Sequence, residues 1–79
     1  MVTIYRAFGL RVVIFVDDHE PAHVHVFGDG EVKINLAGPG DEPELVWAVG
    51  AKRSEVRKAM ALVREHRRDF AARWRKIHG

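Results

Sequence analysis

The chain has 79 residues, no cysteine and a formal net charge of +2. That length fits one domain, 1–79, which buries only about 60% of its unfolded surface and so gains from partners. Disulfide frameworks and thiolate catalysis are excluded, and no apolar run of about 18 residues offers a membrane span.

The apolar share of 47% is that of a globular chain rather than a disordered one. The amino-terminal residues lack the apolar stretch of a signal peptide, and a cytoplasmic location is expected. Charge is split unevenly. Residues 1–50 hold three basic and eight acidic residues, a net −5, whereas residues 51–79 hold ten basic and three acidic, a net +7. Such asymmetry points to internal complementarity or to a polyanionic partner.

Thr3 to Ala7 reads as a short strand, closed by a turn at Phe8-Gly9. Leu10 to Val16 is almost continuously apolar and β-branched, as expected of a central strand buried on both faces. Asp17 to Pro21 is a polar loop ended by proline. His23 to Phe27 is a second clear strand, and Gly28-Asp29-Gly30 a hairpin turn. Glu31 to Leu36 alternates apolar and polar side chains, the pattern of a half-exposed antiparallel strand. Gly38-Pro39-Gly40 ends it, an acidic loop follows, and Leu45 to Ala48 is read as one more strand.

From about Lys52 the period becomes helical, with Ser54 as the expected cap. Val56, Met60, Val63, Phe70, Trp74 and Ile77 form one apolar stripe. No glycine or proline intervenes before Gly79, so one helix of six to seven turns is predicted. The expected fold is α+β. An antiparallel sheet of four to five strands (1–50) packs against one long carboxy-terminal basic amphipathic helix (51–79).

At 100° per residue, Arg53, Arg57, Arg64, Arg68 and Arg75 fall within about 60° of one another, beside the apolar stripe. This ridge reads either as a solvated helix face or as a surface that contacts phosphates or an acidic partner. No aromatic side chain interleaves with it to stack on bases. Arg67 lies about 20° from Val56, inside the apolar stripe. A charge there snorkels to solvent or finds a partner, for which Asp17, Asp18 and Glu20 are the candidates.

His19, His23 and His25 are spaced H-x3-H-x-H. The strand period of two puts His23 and His25 on one face, roughly 6–7 Å apart at the backbone, with His19 in the loop feeding them. Three converging imidazoles hold zinc or another divalent ion with an open position, or supply acid–base chemistry near neutral pH. Asp18 would orient one ring from behind. The plainer alternative is that these histidines hydrogen-bond locally. His78 is assigned to the surface, and His66 is left open.

Asp18-His19-x-Pro21-x-His23-x-His25-Val26, with Thr3-Ile4 and the strand before Asp17, resembles the bacterial family known as domain of unknown function 4160. Members carry a similar histidine segment, and a closing helix whose end is matched here by His66-Arg67-x-x-Phe70-x-x-x-Trp74. Ala22 stands in place of a usual second proline and Val24 in place of a usual phenylalanine. The family is often encoded beside a second small protein, as in toxin–antitoxin modules. The resemblance therefore implies a small antitoxin-type partner.

Together these readings lead to one expectation, a toxin acting on RNA or the translation machinery. Its ribonuclease-like centre would combine His19, His23, His25, His66 and Arg67, without need of a metal. The alternatives are a non-catalytic antitoxin or nucleic-acid-binding regulator working through the arginine ridge, and a metal-binding domain built on His19, His23 and His25. A homodimer or a hetero-complex is expected from the small core and an open sheet edge.

Overall fold

The computed structural model describes residues 1–79 and has the expected α+β architecture. Five strands, β1 (Val2–Ala7), β2 (Leu10–Ile14), β3 (His23–Phe27), β4 (Glu31–Asn35) and β5 (Glu44–Val49), form an antiparallel meander in chain order. A 3-10 turn at Pro39–Asp41 precedes β5, and one helix, α1 (Arg53–His78), closes the chain. No helix is long and apolar enough to cross a membrane.

Strand alternation decides which side chains meet the helix. Val12 and Ile14 of β2, Val24 and Val26 of β3, and Val32 and Ile34 of β4 share the core with Ala59, Leu62, Val63, Phe70 and Trp74 of α1. The intervening residues, His23 and His25 among them, project from the opposite face. Val13 is also fully buried, so β2 is enclosed on both faces over Val12 to Ile14, as its β-branched residues imply, but the strand ends at Ile14 and Val16, expected within it, is exposed.

Helix α1 is bound to the sheet at both ends. Near its start, the Glu55 carboxylate accepts the Asp29 and Gly30 N–H groups of the β3–β4 turn at 2.8 and 3.1 Å. Gly30 is required by close approach, because a Cβ there would lie 2.3 Å from the Val49 carbonyl oxygen. At the far end, the His78 ring bridges two carbonyl oxygens, with Nε2 3.2 Å from that of Phe15 and Nδ1 2.9 Å from that of Trp74. The ring also stacks on Trp74 at 3.9 Å. His78, expected at the surface, is therefore half-buried and packed between the helix end and the sheet.

Two further local expectations are corrected. The helix starts at Arg53 with Lys52 as its cap residue and no capping side chain, so Ser54 does not cap it. The helix is also not uniform, since His66 departs from helical geometry (φ −108°, ψ 16°). There its ring lies against Tyr5 at 4.4 Å and stacks on Phe70 at 5.5 Å. Packing on β1 thus accompanies the local break in the helical backbone.

Candidate metal centre

The segment between β2 and β3 folds back over the sheet face that the helix leaves uncovered. Its turn is closed by the Phe15 N–H, which donates to Asp18 Oδ2 at 3.2 Å. That contact aims the carboxylate at the start of β3. Asp18 Oδ2 lies 3.1 Å from His23 Nε2 and 3.8 Å from His25 Nε2. One ligand atom from each of the three residues falls within 4.8 Å of the others. All three side chains are largely shielded, at 17% exposure for Asp18, 6% for His23 and 11% for His25.

Each ring is oriented from behind by an acceptor. His23 Nδ1–H donates to the Pro21 carbonyl oxygen at 2.8 Å, and His25 Nδ1–H to Glu31 Oε2 at 3.0 Å. Neither of these oxygens can donate, so the hydrogens belong on the two Nδ1 atoms. With Nδ1 as the only protonated nitrogen, each ring turns an Nε2 lone pair toward a carboxylate oxygen. Three electron-rich atoms pointed at one another repel unless a cation, a proton or a metal ion, lies among them. Imidazoles held at Nδ1 by a carboxylate or carbonyl and free at Nε2 are the arrangement seen in metal-ligating histidines.

Burial lowers the His25 pKa below its usual value, against the opposing Glu31 hydrogen bond and the nearby Asp18 charge. The neutral ring is the form that binds metal. Phe15 lies edge-on to His25 at 4.7 Å, and Trp47 lies 5.9 Å from it. These aromatic walls limit water at the rings. Asp18 also lines a cleft of about 510 Å³, with His19, Trp74, Arg75 and His78 around it.

A family described as Domain of unknown function (DUF4160) matches residues 9–75. The chain belongs to that family. Comparisons with curated proteins and with solved structures found no match. The matched stretch contains the whole Asp18–His23–His25 cluster and most of the helix.

The expected convergence of the histidines with His66 and Arg67 does not occur. Val24 and Val26 turn toward the helix, so His23 and His25 turn away from it. His66 packs on Tyr5 and Phe70. Arg67 reaches neither Asp17, Asp18 nor Glu20; its Nη1 and Nη2 donate to Asp41 at 3.2 and 3.3 Å. His19 lines the cleft and is not one of the clustered ligand atoms. Asp18 holds the position that His19 was expected to fill, and faces the imidazoles directly instead of supporting one from behind.

Glu31 was missed in the sequence. The tight turn at residues 28–30 pairs Phe27 with Glu31 and His25 with Lys33. That register puts His25 and Glu31 on one face as diagonal neighbours, a relation readable from the turn alone. The arginine ridge is present as predicted geometry. Arg53, Arg57, Arg64, Arg68 and Arg75 are all exposed, and of these only Arg64 meets a carboxylate, Glu42 at 3.3 Å.

Proposed function

We propose that this chain is a divalent-metal-binding domain whose ligands are Asp18 Oδ2, His23 Nε2 and His25 Nε2. The observation that carries the reading is the orientation of both rings. Each Nδ1 is held by an acceptor, and each Nε2 faces the same carboxylate oxygen. Tetrahedral zinc with bonds of about 2.0–2.2 Å sets its ligand atoms about 3.4 Å apart. The contacts of 3.1 and 3.8 Å bracket that spacing. Three protein ligands leave at least one position for water or a substrate atom, and a bound ion would act there as a Lewis acid.

The direct test is elemental analysis and zinc titration calorimetry of tag-free protein. One equivalent of metal is expected in the wild type and in Arg67→Ala, with loss in His23→Ala. Metal content unchanged by His23→Ala would end the proposal.

The toxin reading, with RNA or the translation machinery as target and a small antitoxin-type partner, is a second proposal. Its support is the row of exposed Arg53, Arg57, Arg68 and Arg75, none of which has a carboxylate within 4.0 Å. Cations left unneutralised suit phosphates. Arg57→Ala and Arg68→Ala should weaken RNA binding and flatten its salt dependence; binding unchanged by either substitution removes this support.

A further inference from the structure

We propose that β5 is an interface at which two copies of this chain pair antiparallel across a two-fold axis. Strand β5 is the last strand of the sheet, hydrogen-bonded to β4 on one side only. All six of its residues are exposed. Of the seven large exposed apolar side chains in the protein, four belong to it: Leu45 at 44%, Val46 at 42%, Trp47 at 37% and Val49 at 66%. No residue of β5 belongs to the core, because the helix does not extend over this strand.

The other edge is treated differently. In β1, Ile4 is buried, and Val2, Tyr5 and Ala7 pack against the core. Exposed edges are usually blunted by a central charge or a proline, since their free N–H and C=O groups recruit another strand. Between Glu44 and Lys52, β5 and the residues after it carry neither.

Charge identifies the second strand as another β5. The strand is entered through the acidic run Asp41-Glu42-Pro43-Glu44 and left through the basic pair Lys52-Arg53. Antiparallel pairing about a two-fold lays each copy's acidic end along the other's basic end; parallel pairing would set like against like. Lys52 and Arg53 have no carboxylate within 4.0 Å in their own chain, and Glu44 meets only the Asn35 amide at 3.2 Å. Asp41 and Glu42 are engaged by Arg67 and Arg64 of their own chain, so Glu44 and the Lys52-Arg53 pair are the end charges available to a partner, and they are self-complementary, as an isologous interface demands.

Sedimentation of the full chain, with and without metal, tests the pairing. The wild type should sediment at twice the 9.0 kDa chain mass at micromolar concentration. Val46→Lys, which sets like charges near the two-fold, should give monomers with an unchanged circular-dichroism spectrum. Lys52→Glu should raise the dimer dissociation constant at least tenfold, and adding Glu44→Lys should restore it. Because Val46 and Lys52 lie outside the metal ligands, zinc binding by the monomeric variants separates this result from the fate of the metal centre. A wild type that is monomeric at 100 micromolar (roughly a hundredfold above a typical micromolar dissociation constant), or a dimer that survives both sets of changes, overturns the proposal.

Discussion

Asp18→Asn isolates the charge at the centre of the histidine cluster. The amide is nearly the same shape as the carboxylate, and its oxygen can still accept the Phe15 N–H that now reaches Asp18 Oδ2 at 3.2 Å. What is lost is the anion between two imidazole nitrogens at 3.1 and 3.8 Å. With zinc at a hundred times its dissociation constant, binding stabilises the folded wild type by about 2.7 kcal/mol. For a domain of this size each kcal/mol moves the melting temperature by about 4–8 °C, so the expected rise is roughly 10–20 °C. If the substitution weakens zinc a hundredfold, the same concentration yields only about 0.4 kcal/mol and a rise of about 2–3 °C. Thermal melts in chelator and in a zinc series, each variant referred to its own metal-free melt, read this directly. Equal shifts in wild type and Asp18→Asn, or none in the wild type up to millimolar zinc, would refute the proposed ligand set.

Two further outcomes follow from burial. His25 has its pKa lowered mainly by desolvation, so below about pH 6.5 the unfolded chain takes up a proton that the folded chain resists. The metal-free protein is therefore expected to lose stability as pH falls from 6.5 toward the lowered folded value. Urea midpoints between pH 5 and 8 should show that slope, and His25→Gln should flatten it; an undiminished slope in the variant would assign it elsewhere. Phe70 is 0% exposed at the centre of the helix–sheet core. Phe70→Ala should cost about 3–5 kcal/mol, a large part of the roughly 4–12 kcal/mol available to a domain of this length. A urea midpoint within about 10% of the wild type would contradict this placement.

Much of the scaffold was legible because its signals are local. The β-branched run of β2, the alternation in β4, the Phe8-Gly9 and Gly28–Gly30 turns and the apolar stripe of the helix each specify an element without reference to the others. They suffice for an antiparallel sheet under one helix. Fine detail that depends on neighbours was not legible. Ser54 looks like a cap by type, yet the helix begins one residue earlier. His66 sits in a helical pattern, yet its backbone departs from helical geometry where its ring meets Tyr5 and Phe70.

Local periodicity determined that His23 and His25 share a strand face, because side chains alternate with a period of two. It equally determined that five arginines form a ridge, because a helix turns 100° per residue. Which sheet face the helix covers was settled by packing between elements. Once Val24 and Val26 claim that face, the imidazoles must turn from Arg67 and His66 toward the folded-back Asp18. That choice is made by the summed apolar area of the strands, a property of the whole sheet that no single motif carries.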